Sequence, residues 1–477
     1  MASYTTSFSL NITVWNTLLG LEPSPLTMIL SLVGGILVLV LSVHCSVLIE
    51  RGPQNRTQWI LIRTLLAILA SILFIDLLFA PYGQKNRYFR TSGVTNGIYG
   101  LLKTWEICFS SLIDGVPLPS WVRLSHPASN GAHPKSGKEE ETRETLHSID
   151  TRGWWYSFDV ISTLRGVSWL PDRRFDIATP SLVQKIASRT TRGRFVLDRI
   201  LWLLTSLFVM DIIDTVSKEW SYMDGQGLGR IAQSYSSTKI TTLYPAYAHQ
   251  ATSKPFYGQL ALVACTALST QFSVEIFYTA FGLLCVGVFN VSPSAFPHFF
   301  NNPFYIHNYT SVRHFWGYQW HHIFRQVMTR VTDPFLHVFR IPKRSALGTI
   351  MRVVIAFTLS GLIHCVIQAR AQALYLAPNV ELVVLDPDTL RFFMSQPLAI
   401  AFEHLCMFPL VRFLPPLVKR TLMVVWTLGW LTWSARWWVD VWIKMGMYQP
   451  EERVVLFSVI RGLWRGEWYI AGLPAPS

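Results

Sequence analysis

The chain has 477 residues, of which 51% are hydrophobic, 14% aromatic and only 14% charged, and 41 Lys and Arg against 28 Asp and Glu give a net charge of +13. Soluble globular proteins carry about 25% charged residues, so this composition, with its long apolar runs, argues against soluble domains and predicts an all-α polytopic membrane protein. The basic residues fall mostly in loops between apolar runs, which suits anionic lipid and an anionic cosubstrate; no nucleic-acid motif accompanies them.

Residues 1–25 contain no Lys or Arg and read as a polar tail, since a cleavable signal needs a basic start. Asn11 opens an Asn-Ile-Thr sequon, a glycosylation candidate on the lumenal side. Apolar runs predict spans at 26–49, with Gly34 and Gly35 at a close helix contact, and at 59–80. Arg51 and Arg56 between them predict a cytosolic first loop and a lumenal N-terminus. Lys85, Arg87 and Arg90 break the simple alternation. The short run 98–113, interrupted by Lys103 and Glu106, reads as a re-entrant or interfacial helix.

Residues 114–198 form a polar region. Within it, 124–152 loses its hydrophobicity and reads as a flexible loop, and 150–176 mixes aromatics with Arg and Asp, as interfacial segments do. A span at 200–216 carries Asp211 and Asp214, three residues apart and so on one helix face. They read either as a water-facing helix end or as magnesium ligands for diphosphate chemistry. The apolar stretch 257–291 exceeds one bilayer crossing and contains a lone acid, Glu275. Further spans are predicted at 351–371, 392–414 and 421–443. Loop charges then put 301–350 in the cytosol and 373–390 in the lumen, for a total of roughly seven to nine spans. The predicted organisation is a tail (1–25), an N-terminal membrane region (26–113), a polar loop (114–198) and a core (199–477). The six cysteines form no CxxC, and neither a disulfide framework nor a metal site is predicted.

Chemistry concentrates in two places. Residues 301–340 are polar, aromatic and basic between apolar flanks, with Arg313, His314, Trp316, Trp320, His321, His322 and Arg325 clustered together. Read as a helix, Trp316 and Trp320 form an i,i+4 pair, which suits an amphipathic anchor at the membrane surface. That reading leaves the histidines unexplained. The second place is His364, mid-helix in TLSGLIHCVIQA, with Ser360 one turn before it and Gly361 allowing close approach. A histidine in hydrocarbon needs a partner or a cavity, so it reads either as a packing residue bonded to a neighbouring helix or as part of a site.

The segments SVRHFWGYQWHHIFR and FTLSGLIHCV together resemble the wax-synthase branch of the membrane-bound O-acyltransferases, especially fungal members that acetylate terpenoid hydroxyls. Phe315, Trp316, Gly317, Trp320 and His321 match an FWG-x-x-W motif followed by His or Asn, and Ser360, Gly361 and His364 match an SG-x-x-H motif. The resemblance implies acyl transfer from acetyl-CoA or another acyl-CoA, a cosubstrate and not a bound cofactor, to a lipophilic alcohol. It casts His364 as general base and His321 as the group that orients the acceptor or stabilises the oxyanion. Arg313, Arg325 and Lys343 become candidates for the CoA phosphates, and Trp316, Trp320 and Ser360 candidates for substrate binding. It also implies a multi-pass membrane enzyme of the endoplasmic reticulum. Competing readings are a long-chain wax-ester acyltransferase, a membrane prenyltransferase or cyclase using Asp211 and Asp214, and a transporter.

Overall fold

The structure, a computed structural model, describes residues 24–51, 53–79, 87–115, 118–123, 142–143, 153–163, 168–170, 173–176, 191–219, 256–300, 305, 309–320, 324–372, 385–444 and 457–468. Asn11, His321, His322 and most of the 124–152 loop lie outside the described residues, as does the side chain of Arg325. Four helices are long and apolar enough to cross a membrane by length and composition: Leu26–Ile49, Arg56–Phe79, Val263–Gly287 and Ala346–Arg370. Each coincides with a predicted apolar run. The chain forms two compact units.

The first unit comprises Met1–Arg192, Asn290–Pro297 and His321–Ala356. Helices α1 (Pro25–Arg51) and α2 (Arg56–Phe79) pack along each other, and α3 (Arg87–Thr104) packs on α2. The Phe74 ring of α2 sits in a socket of glycines. A Cβ on Gly35 would lie 2.8 Å from the ring, and one on Gly100 would strike it directly. The predicted close contact is thus a contact of Gly35 with Phe74, while a Cβ on Gly34 would lie 3.5 Å from Leu73 Cδ1, an ordinary packing distance. Helix α3 runs through a π-helical turn, Trp105–Phe109, into α4 (Ser110–Asp114), which ends at Gly115 with φ 66°. A π turn frees carbonyls from the regular helical ladder. Arg63 of α2 takes them up, its Nη2 donating to Ile107 O at 2.7 Å and Cys108 O at 3.2 Å. Lys103 and Glu106 are interior and pair with each other at 2.9 Å. The charges that interrupted the apolar run therefore lie within one continuous helical stretch.

The all-helical expectation needs one amendment. Strands β1 (Trp121–Arg123), β2 (Thr142–Arg143) and β3 (Arg173–Phe175) form an antiparallel sheet in the order β2-β1-β3. Strands of two or three residues are too short to show alternation in a sequence. Helix α5 (Gly153–Ser162) places Tyr156 against Trp121 and Phe175, with ring centroids 5.4 and 6.2 Å away. Asp159 ties this corner together, accepting from Trp121 Nε1 at 2.9 Å, from Ser168 Oγ, and from the Trp169 backbone N–H at 2.9 Å. The segment read as interfacial is therefore half core: Tyr156 and Asp159 are buried, while Trp154 and Trp155 are exposed. In α9 (Arg325–Val338; α6 to α8 follow below), Asp333 is held by Arg352 at 2.6 Å and Lys343 at 2.9 Å, and Asp114 by Arg330 at 2.8 Å.

The second unit comprises Gly193–Phe289, His298–Trp320 and Phe357–Ser477. Its helices are α6 (Arg192–Glu219), α7 (Phe256–Gly287), α8 (Val312–His314), the later part of α10 (Ala346–Gln372), α11 (Pro387–Phe402), α12 (Phe408–Val411), α13 (Pro416–Lys444) and α14 (Val459–Arg465). π-helical turns at Phe315–Trp320 and Glu403–Met407 follow α8 and α11. Helix α7 is unbroken over 32 residues, about 48 Å at 1.5 Å per residue, so the long apolar stretch is a single helix longer than a bilayer core. Asp211 and Asp214 correct the expectation of a water-facing helix end. Both are buried: Asp211 caps α14, accepting from Ser458 Oγ and from the Ile460 N–H at 2.9 Å, and Asp214 meets Arg461 Nη2 at 2.6 Å.

Candidate active site

Two buried glutamates anchor the backbone at Phe300 and at Val312 and Arg313. Glu275 of α7 accepts from Trp202 Nε1 at 2.9 Å and from the Phe300 N–H at 3.3 Å. The lone acid in the long apolar helix is therefore the anchor at Phe300. Glu403, fully buried, accepts from the Val312 N–H at 2.6 Å, the Arg313 N–H at 3.4 Å and Trp426 Nε1 at 3.0 Å. A carboxylate at a helix N-terminus satisfies orphan N–H groups and meets the positive end of the helix dipole. Ser311 completes the cap by accepting from the His314 N–H at 2.9 Å.

The helix so started becomes π-helical over Phe315–Trp320. This corrects the i,i+4 pairing of Trp316 with Trp320. In a π turn residues five apart share a face, and Phe315 stacks on Trp320 with centroids 6.0 Å apart and planes at 25°. Trp316 turns instead into the unit's interior, where its Nε1 donates to Gln396 Oε1 at 3.1 Å. The same oxygen accepts from Trp430 Nε1 at 3.2 Å, while Gln396 Nε2 donates to Phe392 O at 2.9 Å and to Ser434 Oγ at 3.2 Å. This buried amide, its oxygen and nitrogen both engaged, links the FWG motif to α11 and α13.

From Trp316 an aromatic path leads to His364. Trp316 packs on Phe357 and Phe392 at 5.5 and 6.0 Å; Phe392 stacks on Trp438 at 5.8 Å; His364 lies 6.2 Å from Trp438 and 4.5 Å from Phe393. The two motifs thus share one aromatic cluster within one compact unit. A Cβ on Gly361 would lie 3.2 Å from Phe393 Cβ, so the glycine allows α10 to approach α11 here. His364 Nδ1 lies 2.7 Å from Ser360 O. A carbonyl only accepts, so Nδ1 carries the proton and Nε2 is left as the basic nitrogen. Ser360, buried, supplies that carbonyl, so its demonstrated contact with the histidine is through its backbone.

The other expected residues are placed differently. Arg313 is exposed and its Nη1 donates to His404 Nε2 at 3.1 Å. Partial burial holds the His314 imidazole below its ordinary pKa, so it is neutral at pH 7 and adds no cation for a phosphate. Trp320 packs beside Phe300 at 5.7 Å. Lys343 belongs to the other unit and is already matched to Asp333 and Asp114. Sequence reasoning missed Glu403, Gln396 and Trp438. A buried acid and a buried amide inside the apolar run 392–414 were the available signal.

Residues 296–385 match the membrane bound O-acyl transferase family. That interval holds Trp316, Gly317, Ser360, Gly361 and His364, so the resemblance carried by the two motifs is borne out. The chain is 31% identical to Acetyltransferase sirH of Emericella nidulans over 112 residues, covering 24% of this chain and 26% of that protein. It is 28% identical to Acetyltransferase eriL of Hericium erinaceus over 165 residues, 34% of this chain and 40% of that protein. A longer similarity, 23% identity over 386 residues and 76% of each chain, joins it to O-Mevalon transferase yanI of Aspergillus niger. The chain thus spans about a quarter and two fifths of the two acetyltransferases it matches. No solved structure matches it. The matched family and these relatives support an acyltransferase enzyme at a membrane.

Glu403 gives a direct test of the scaffold. Glu403→Ala leaves the Val312 N–H and the Trp426 indole N–H without their acceptor, at about 1–3 kcal/mol for each buried donor. The variant is expected to melt at lower temperature in detergent, with Glu403→Gln in between because it keeps one oxygen. An unchanged Glu403→Ala melting curve would show that the cap does not hold the backbone at Val312 and Arg313.

Proposed function

We propose that the protein is a multi-pass O-acyltransferase that moves an acyl group, most simply acetyl, from CoA to a hydroxyl of a lipophilic terpenoid or meroterpenoid. The observation that carries this reading is His364: its Nδ1 is tied to Ser360 O, and its Nε2 is left as a base inside the family-matched interval. Nε2 takes the hydroxyl proton as the oxygen attacks the thioester carbonyl, then returns it to the departing CoA thiolate. His321 orients the acceptor, Trp316 and Trp320 shape the site, and Arg313 and Arg325 serve the CoA phosphates. The core is residues 199–477. Roughly seven to nine spans put the 301–350 stretch on the cytosolic face of the endoplasmic reticulum, where CoA is present. The names of the two acetyltransferases support the acetyl group; the O-Mevalon transferase keeps transfer to oxygen and changes the group.

The prenyltransferase reading loses its chemistry, because Asp211 and Asp214 are already engaged by Ser458, Ile460 and Arg461. The acyltransferase reading is tested with microsomes carrying the full chain, labelled acetyl-CoA or palmitoyl-CoA, and a panel of terpenoid and fatty alcohols. Acetyl esters of terpenoid alcohols are expected. Palmitoyl transfer to fatty alcohols would favour the wax-ester reading, and no transfer to any acceptor would overturn both.

A further inference from the structure

Helix α13 carries a row of tryptophans whose indole N–H groups fare differently. Trp426 Nε1 donates to Glu403 at 3.0 Å and Trp430 Nε1 to Gln396 at 3.2 Å. Trp438 Nε1 and Trp442 Nε1 are buried and have no hydrogen-bond acceptor among the described residues. Trp438 is the indole that packs against His364, with ring centroids 6.2 Å apart and planes at 75°. One turn beyond His364 on α10, the buried Nε2 of Gln368 also lacks a hydrogen-bond partner among the described residues. One unmet donor thus belongs to a ring packed beside His364, and another lies one helical turn along α10 from it.

An indole N–H can only donate, and its position does not depend on how an amide is flipped. Leaving it buried and unpaired is unfavourable, since the desolvated donor gets nothing in return. Packing does not require that cost, because the stacking of Trp438 on Phe392 uses the ring alone. Buried polar groups without a partner are uncommon in native proteins and call for an explanation. Acyl transfer supplies one. As the alcohol oxygen bonds to the thioester carbon, the carbonyl π electrons move onto oxygen, and that oxygen needs a preplaced donor.

We propose that Trp438 donates its Nε1–H to the carbonyl oxygen of the bound acyl thioester and stabilises the oxyanion formed there. The inference rests on the acyl-transfer reading. The C–O bond forms while the hydroxyl proton passes to His364 Nε2, and negative charge settles on the oxygen facing Trp438. The intermediate then collapses, the C–S bond breaks, and the CoA thiolate leaves with the proton from His364. An indole N–H, which only donates, suits an acyl carbonyl, which only accepts.

The test uses the full chain in detergent or nanodiscs as wild type, His364→Ala and Trp438→Phe. Phenylalanine keeps an aromatic ring against Phe392 and removes the N–H. Trp438→Phe is expected to lower kcat about 10²-fold, the usual effect of losing one oxyanion donor, with little change in KM for acyl-CoA. It is also expected to weaken binding of the dethia ketone analogue of acetyl-CoA about 10-fold, in line with one lost hydrogen bond. Binding of S-ethyl-CoA, which has no carbonyl, should be unchanged. If the phenylalanine variant does not fold, 3-benzothienylalanine at position 438 removes the N–H within the same ring shape. Wild-type kcat in these variants, or equal weakening of both analogues, would overturn the inference while leaving acyl transfer standing, provided His364→Ala is inactive. A wild-type protein that transfers no acyl group would overturn both.

Discussion

His364→Ala is expected to lower kcat for acyl transfer about 10²–10⁴-fold, the range for a general base, while the melting temperature stays close to wild type. The ring makes one described hydrogen bond, Nδ1 to Ser360 O, within its own helix. Its remaining partners are the aromatic rings of Phe393 and Trp438. Alanine therefore removes the base and leaves the helix ladder intact. Alanine is also the best helix former, so no propensity cost is added. KM for acyl-CoA should change little, since the imidazole acts on the alcohol proton. His364→Gln is the informative companion. An amide can still donate to the Ser360 carbonyl but cannot take a proton at neutral pH, so it should be as inactive as alanine. Transfer at the wild-type rate by either variant would sink the proposed mechanism. Low activity accompanied by a large fall in melting temperature would reassign His364 to packing.

Asp214→Ala is expected to destabilise the protein by about 3–5 kcal/mol, because it strands a buried cation. Arg461 is fully buried and its Nη2 sits 2.6 Å from Asp214. The partners are 247 residues apart in sequence, so the pair also ties the C-terminal helix α14 to α6. Breaking one side should release α14, seen as protease cleavage near 457–468 and early thermal unfolding in detergent. Adding Arg461→Met should recover much of the loss, since replacing a whole buried pair by apolar groups is often neutral. Protein that remains folded should still transfer acyl groups. A prenyltransferase would behave in the opposite way, with Asp214→Ala fully stable and inactive. Thermal unfolding and activity measured on the same preparations separate the two.

Much of the architecture was legible because it depends on local composition. Helices α1, α2, α7 and α10 each correspond to a run of apolar residues, and exclusion of polar backbone from a bilayer leaves a helix as the form such a run can take. The FWG and SG-x-x-H motifs were equally legible, since residue types at fixed spacing are a sequence property. The small β2-β1-β3 sheet was not, because its strands are too short to carry a period. The fates of Asp211, Asp214, Glu275 and Glu403 were not legible either. A buried carboxylate in an apolar helix announces that it has a partner but does not name it.

The sequence by itself thus determined a helical membrane protein, the position of four apolar helices and the two motifs that carry the family resemblance. Only the tertiary structure decided that Trp316 and His364 meet around Phe392, Phe393 and Trp438. It also decided that Glu403 starts the helix holding Trp316 from 91 residues away. It replaced the Trp316–Trp320 pair with a π turn that sends Trp316 inward. The physical reason is the same in each case. Apolar burial is additive and local enough to read along a chain, whereas a buried hydrogen bond is chosen by whichever partner the packing brings within about 3 Å.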